Sequence, residues 1–214
     1  MAYVNITLPE SAPQKVRQYI TERVELYFQD VPAMFRLPLP DQDITSGLNF
    51  SIAQILFAAI SGVSTTLYDH AGKSGDLFKG LVRDYFPWEE EACTQPPEAA
   101  ATILYDVFRN PLAHDTGLSV ESKNDCRYLV QSKIEDKVER RLTENKTIGH
   151  SEKWIENLEG SVTSPKMGPT LLAKDGKKVL LIEGLYWCSR KMISNLAHDK
   201  DRMTRAERYL KHYA

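Results

Sequence analysis

The chain has 214 residues, 42% of them apolar and 26% charged, which suits one domain with its own core and argues against global disorder. Cys93, Cys126 and Cys188 are few, odd in number and widely spaced, a pattern unlike a secreted disulfide framework or a zinc ribbon. The net charge of −2 makes no case for nucleic acid by itself.

Charge is uneven along the chain. Residues 1–110 carry 8 Lys+Arg against 14 Asp+Glu, whereas residues 111–214 carry 19 against 15. A basic C-terminal half suits a phosphate-bearing partner, and a solvated helix surface gives the same bias. Met1 to Glu10 lacks a basic stretch followed by an apolar run, so no signal peptide is expected. Phe50 to Val63 is the most apolar stretch, yet Gln54 and two serines interrupt it, and it reads as a buried helix shorter than a membrane span. The expected location is the cytoplasm, with no membrane contact.

Ser11-Ala12-Pro13-Gln14 has capping-box spacing. Val16, Tyr19, Ile20, Val24, Tyr27, Phe28 and Val31 follow at helical spacing, so the first helix buries one face. Pro32 and Leu37-Pro38-Leu39-Pro40 are expected to end it. A second helix from Gly47 to His70 presents Ile52, Ile55, Leu56, Ala59, Ile60, Val63 and Leu67 on a wide apolar face, and so should be central. Gly72 and Gly75 interrupt the pattern. A third helix through Leu77, Phe78, Leu81, Val82 and Tyr85, capped by Ser74 or Asp76, stops at Pro87. Glu89-Glu90-Glu91 reads as a solvated acidic turn.

Pro96-Pro97-Glu98 opens a fourth helix, with Ala100, Ile103, Leu104, Val107 and Phe108 on one side. Arg109 stands at its end, and Pro111 is expected to turn the chain. A further helix from Ser119 or Ser122 would carry Leu129, Val130, Ile134, Val138 and Leu142. A short helix over Ser151 to Leu158 precedes Gly160. Thr170 to Ile182 reads as a β-hairpin about Asp175-Gly176, and helices over Leu185 to Ala197 and Arg202 to Tyr213 follow. The fold class expected is mainly α: a bundle of about six to eight helices with one small C-terminal hairpin.

The chemistry concentrates in Arg109-Asn110-Pro111-Leu112-Ala113-His114. Arg109 supplies a fixed cation and a planar fork of donors that matches phosphate oxygens. His114 can exchange a proton near neutral pH. Asn110 can both donate and accept. A turn at Pro111 and at Asp115-Thr116-Gly117 would bring His114 back towards the arginine. Such a pair suits phosphodiester cleavage, one group moving a proton while the other steadies charge on the phosphorus oxygens.

Arg, a polar residue and a His a few positions on, set between helices of a small bundle, resembles the HEPN superfamily. The resemblance covers about residues 45 to 145 and is carried mainly by Arg109, Asn110 and His114. It implies a HEPN-like bundle over residues 1–148, with residues 149–214 as an extension packed on the same domain. It also implies a metal-independent endoribonuclease, without cofactor, acting as a homodimer in toxin–antitoxin or antiphage defence. Arg109 would then hold the scissile phosphate, His114 would handle the proton of the ribose 2′-OH or leaving group, and Asn110 would orient them. RNA is the implied substrate, and an antitoxin or other protein the implied partner. Toxins paired with a nucleotidyltransferase carry Tyr two residues after the His; Thr116 stands there, which sets this chain apart from that subgroup.

Two rival readings stand beside it. In one, a catalytically silent HEPN-like module binds RNA, a nucleotide or a protein. In the other, Arg109 caps its own helix and His114 satisfies a loop carbonyl. Other motifs offer less. His70, His150, His198 and His212 have no metal-ligand spacing. Gly72-Lys73-Ser74-Gly75 lacks the earlier glycine and the strand of a phosphate loop. Arg205 to His212 lies in an ordinary amphipathic helix, the segment Asp199 to Lys211 reads as solvated, and Trp88, Trp154 and Trp187 read as packing residues.

Overall fold

Four helices bury a side chain at every fourth position, and three of them are wound wide over part of their length. In α1 (14–36) the row is Val16, Ile20, Val24 and Phe28. In α2 (Asn49–Tyr68) it is Ile52, Leu56, Ile60, Ser64 and Tyr68, and in α4 (97–114) it is Ala100, Leu104, Phe108 and Leu112. A helix of 3.6 residues per turn lets each four-residue step drift by about 40°, so a row of four would slide about 120° around the axis. Each of these helices contains a wider π-type stretch, at Ile20–Val24, Ser64–Tyr68 and Ile103–Arg109. Bonds from i to i+5 put more residues in a turn and reverse the drift. The row stays on the core. α3 (Ser74–Tyr85), α5 (Ile182–Ala197) and α6 (Lys200–Tyr213) have no such stretch; α5 buries Leu185, Ser189, Ile193 and Ala197 at four-residue steps all the same, and α6 buries Met203, Ala206 and Leu210 at three- and four-residue steps.

The computed structural model describes residues 6–36, 49–90, 95–114, 128–131, 170–174 and 177–213. It is mainly helical, with six helices and a small sheet among those residues. As its apolar face predicts, α2 is central: it touches the other five helices and strand β1 (Tyr128–Gln131). Its length and mean hydropathy of 1.6 would by composition let it cross a membrane, so it is longer than the apolar run alone predicts. Its apolar side chains are nevertheless the middle of the core, where Ile52, Leu56, Ile60 and Leu67 meet Phe28, Phe78 and Phe108 in one buried cluster. Leu185, Ile193, Leu196 and Ala206 of α5 and α6 belong to the same cluster.

The hairpin forms as the turn residues predict, β2 (Leu171–Lys174) lying antiparallel to β3 (Lys177–Leu181) with Lys174 opposite Lys177. β3 is the middle strand, and β1 lies parallel on its other edge with Tyr128 opposite Lys178. This corrects the helix expected through Leu129 and Val130. A four-residue apolar run carries no period that separates strand from helix, and here it satisfies the open edge of β3. The rest of that expected helix, the one over Ser151 to Leu158, and the segments holding Leu37 to Pro40, Asp115 to Gly117, Asp175-Gly176, Cys93, Cys126, His150 and Trp154 lie outside the described residues.

Three local expectations also need correction. Pro32 does not end the first helix, which runs on to Arg36. A proline there leaves the carbonyl four residues back without its donor, and the Tyr186 hydroxyl donates to that Phe28 carbonyl at 3.5 Å from α5. Pro111 likewise lies inside α4, which continues through Asn110–His114. It follows directly on the π-type stretch, where the Asn110 N–H already bonds back to Tyr105, and a change of register leaves one donor unmatched in any case. Finally, Ser11 does not cap α1; the cap position is Pro13, without a side-chain bond. The cap comes from elsewhere. Glu207 of α6 accepts from the Lys15 and Val16 N–H groups at 2.9 and 3.3 Å, placing a carboxylate on the positive end of the helix.

Replacing that carboxylate, Glu207→Ala, is expected to lower unfolding stability by about 1 kcal/mol, read as a shift in the denaturant midpoint. An unchanged midpoint would mean that α1 does not depend on this distant cap.

Candidate functional site

Three arginines of the bundle sit against aromatic rings; Arg190, buried beside Phe28 and Tyr186, pairs with Glu25 at 3.4 Å, and the partners of the other two separate a structural clamp from a chemical opportunity. Arg202 lies in the first turn of α6. Its Nη1 donates to the Tyr68 carbonyl at 2.7 Å and its Nε to the Tyr85 hydroxyl at 3.0 Å, while its guanidinium carbon stands 3.8 Å from the Tyr68 ring centroid. Tyr85 donates to Asp199 at 2.5 Å, and Tyr68 donates to Asp84 at 2.7 Å. Asp199 also receives the Arg202 backbone N–H at 3.0 Å, which caps α6. Cations, carboxylates and phenols therefore balance here. The cluster closes the last turn of α2, whose Tyr68 carbonyl would otherwise lack a donor, and clamps α2, α3 and α6 together.

Burial, together with the Asp199 hydrogen bond, pushes the Tyr85 phenol up to about 12, and burial and the bond to Asp84 raise Tyr68 as well. Burial pushes Asp84 upward, but hydrogen bonds from Arg83 and Tyr68 and the Arg202 charge outweigh it and hold the carboxyl below its ordinary value.

Arg109 differs. It is the last residue of the π-type stretch in α4, half-buried, with Nε donating to Ser61 Oγ of α2 at 3.4 Å. Its guanidinium carbon lies 5.3 Å from the Tyr105 ring centroid, and Lys79 Nζ of α3 lies 5.1 Å from the same ring. Two cations thus share one aromatic ring. Lys79 is neutralised by Asp106 at 2.9 Å. Among the described residues no carboxylate pairs with Arg109. The Tyr105 ring is seated by Gly75, where an added Cβ would lie only 2.8 Å from the tyrosine oxygen and 2.9 Å from its ring. One helix turn on, Gln54 Nε2 of α2 donates to the Leu112 carbonyl at 2.7 Å, fixing the end of α4 against the same neighbour. An oriented guanidinium without a counter-ion is a place for an anion, and its flat fork suits phosphate.

The chain does not turn between the three motif residues. Asn110 is exposed at the next position, and His114 closes the same helix; the His114 side chain lies outside the described residues. Five positions along a continuous helix amount to about 7.5 Å of rise and about 140° of rotation, so the return of His114 towards Arg109 through a loop does not occur. Nor does Arg109 stand at the end of its helix, which continues through Asn110–His114. The sequence pattern gave no signal for Ser61, Tyr105, Lys79 or Gly75, because they come from three different helices.

The remaining candidates take ordinary places. Gly72, at φ 149°, bends the chain into α3, and Lys73 holds the cap position in place of Ser74 or Asp76; Ser74 and Gly75 already lie in the first turn, so only Gly72 and Lys73 link the helices. Trp88 Nε1 donates to the Val82 carbonyl at 3.0 Å, and Trp187 is buried. Glu90 pairs with Lys191. Among the described residues no group of three or more His, Cys, Asp or Glu side chains could hold a metal ion. Comparison with protein-family models, with curated proteins and with solved structures finds no match to this chain.

Two outcomes test these assignments. Tyr85 keeps its proton in the folded chain beyond the ordinary phenol value of 10.0 and up to about 12, so its stabilising share is intact below 10.0 and is lost as pH climbs through that window. Denaturant midpoints should fall across it, and Tyr85→Phe should make the fall shallower; an identical slope would remove Tyr85 from the clamp. Gly75→Ala should cost about 1–3 kcal/mol by overpacking Tyr105, and a neutral result would show that the ring is not held there.

Proposed function

We propose that this chain is a HEPN-like, metal-independent endoribonuclease acting inside the cell as a homodimer, with Arg109 as its phosphate ligand. The observation that carries the reading is the state of Arg109: aimed by Ser61 and Tyr105, half-buried, and without a carboxylate partner among the described residues. In the reaction His114 takes the proton of a ribose 2′-OH. The 2′ oxygen attacks the phosphorus, the 5′ oxygen of the next nucleotide leaves and is protonated, and a 2′,3′-cyclic phosphate remains. Arg109 steadies the charge that gathers on the phosphorus oxygens, and Asn110, exposed beside it, orients the phosphate. An antitoxin or other protein partner would cover this face.

The continuous helix adds a requirement. Since Arg109 and His114 of one chain stand about 140° apart on the helix, the working pair forms across a two-fold axis, Arg109 of one protomer with His114 of the partner subunit.

A second reading is favoured by the same separation: a module that holds RNA, a nucleotide or a protein through Arg109 and does not cleave. The two diverge in one assay. With single-stranded RNA in EDTA, the nuclease reading expects a cyclic phosphate product and a loss of about 10²- to 10⁴-fold in rate for His114→Ala. Wild-type and His114→Ala proteins that cut equally poorly would sink it, and binding lost in Arg109→Ala without product would establish the second. Co-refolding Arg109→Ala with His114→Ala should restore about a quarter of wild-type activity, because half the dimers are mixed and each has one intact composite site. No recovery would exclude a shared site.

A further inference from the structure

His70 is an exposed ring with little freedom to move. Its Nδ1 lies 3.2 Å from the Thr65 carbonyl, and its ring stacks on Tyr209 of α6 with centroids 3.9 Å apart and planes 9° from parallel. The backbone beneath it is fixed as well, since Asp69 Oδ1 accepts from the His70 and Ala71 N–H groups at 2.7 and 3.2 Å. Those bonds occupy the nearest carboxylate, which they hold below its ordinary titration range.

Tyr209 sits on α6, which packs against both α1 and the end of α2. The phenols of Tyr209 and Tyr27 both lie within electrostatic reach of Tyr19, which hydrogen-bonds Thr66 of α2. Tyr27 is 44% exposed although it is a large side chain. Arg23, exposed, stands four positions after Tyr19 on α1, and Arg205, also exposed, four positions before Tyr209 on α6. Neither arginine has an ion-pair partner among the described residues. An added Cβ on Gly62 would lie 3.5 Å from the Tyr19 hydroxyl, and the preceding residue, Ser61, holds Arg109.

Flat rings fixed in advance, with unpaired guanidinium groups at their margins, match a polymer that alternates flat bases with phosphates. Stacking on a ring that is already held loses little side-chain freedom, and single strands are bound by this pairing of platforms and cations. We propose that the strip from Tyr27 to His70 is a stacking platform for single-stranded nucleic acid, RNA where the nuclease reading holds, with bases on His70 and Tyr27 and phosphates on Arg23 and Arg205. The choice of RNA rests on that reading; the platform does not.

The test uses the full chain and a short fluorescent 2′-O-methyl oligouridylate, which binds but has no free 2′-OH for cleavage, read by anisotropy. His70→Ala and Tyr27→Ala should each weaken binding roughly tenfold to hundredfold, while His70→Phe, which keeps a flat ring, should stay close to wild type. Arg23→Gln should reduce the slope of log affinity against log salt by about 0.7. Thermal unfolding checks that each variant is folded. Wild-type protein that does not bind the probe, or His70→Ala and Tyr27→Ala proteins that bind as tightly as wild type, would overturn the platform. Unmodified oligouridylate separates the two readings. Platform-dependent binding without cleavage would sink the nuclease and keep the platform, whereas cleavage with KM and binding unmoved by the two alanine variants would do the reverse.

Discussion

The wide turn inside α4 is the constraint on which the candidate site depends. A regular α-helix would carry Leu104, Phe108 and Leu112 progressively off the core; the widened stretch in α4 holds them there. The same winding sets the phase of everything after it. One residue more or less would turn Arg109 by about 100°, away from Ser61 and Tyr105. Core packing and the placement of the candidate phosphate ligand are therefore one geometric fact. Wide turns recur at functional positions in other helices, and here the link has a visible cause.

The contrast between the two arginine clusters shows how similar ingredients separate into structure and chemistry. Arg202 spends its donors and charge on Tyr68, Tyr85, Asp84 and Asp199, and in a partly buried setting such saturation favours one geometry. Arg109 is positioned by a hydroxyl and a ring, neither of which cancels its charge. Among the described residues it is positioned without being neutralised, which is what an anion site requires. The central helix makes both arrangements possible, because α2 presents Ser61 to one arginine and Tyr68 to the other.

Much of the fold was legible in the residues because burial dominates it. The apolar rows of Val16 to Phe28 and Ile52 to Leu67, the central place of α2 and the hairpin about Asp175-Gly176 follow from period and turn chemistry. The two prolines were misleading because a proline's cost is local while its relief is not: Tyr186 serves the Phe28 carbonyl from a helix 158 residues away. Tyr128 to Gln131 was misread because so short a run has no usable period. The four-residue spacing itself was visible, and it is the signal that would have kept α4 continuous through Pro111. At the candidate site Arg109 stood out by its local context. Its supports, Ser61, Tyr105 and Gly75, could not, since only tertiary packing brings them together. His70 has no metal-ligand spacing, and no local pattern encodes its stack with Tyr209.

The bond from Glu207 to the start of α1 spans 192 residues. As the polypeptide emerges from a ribosome at about 5–20 residues per second, the first helix therefore waits roughly ten to forty seconds for the group that finishes its leading turn. Until then the amide end of that helix is open and the α6 flank of the hydrophobic centre is uncovered. Closure of the bundle is thereby tied to late translation, and a nascent chain halted short of Glu207 would present an unfinished apolar surface to chaperones and proteases.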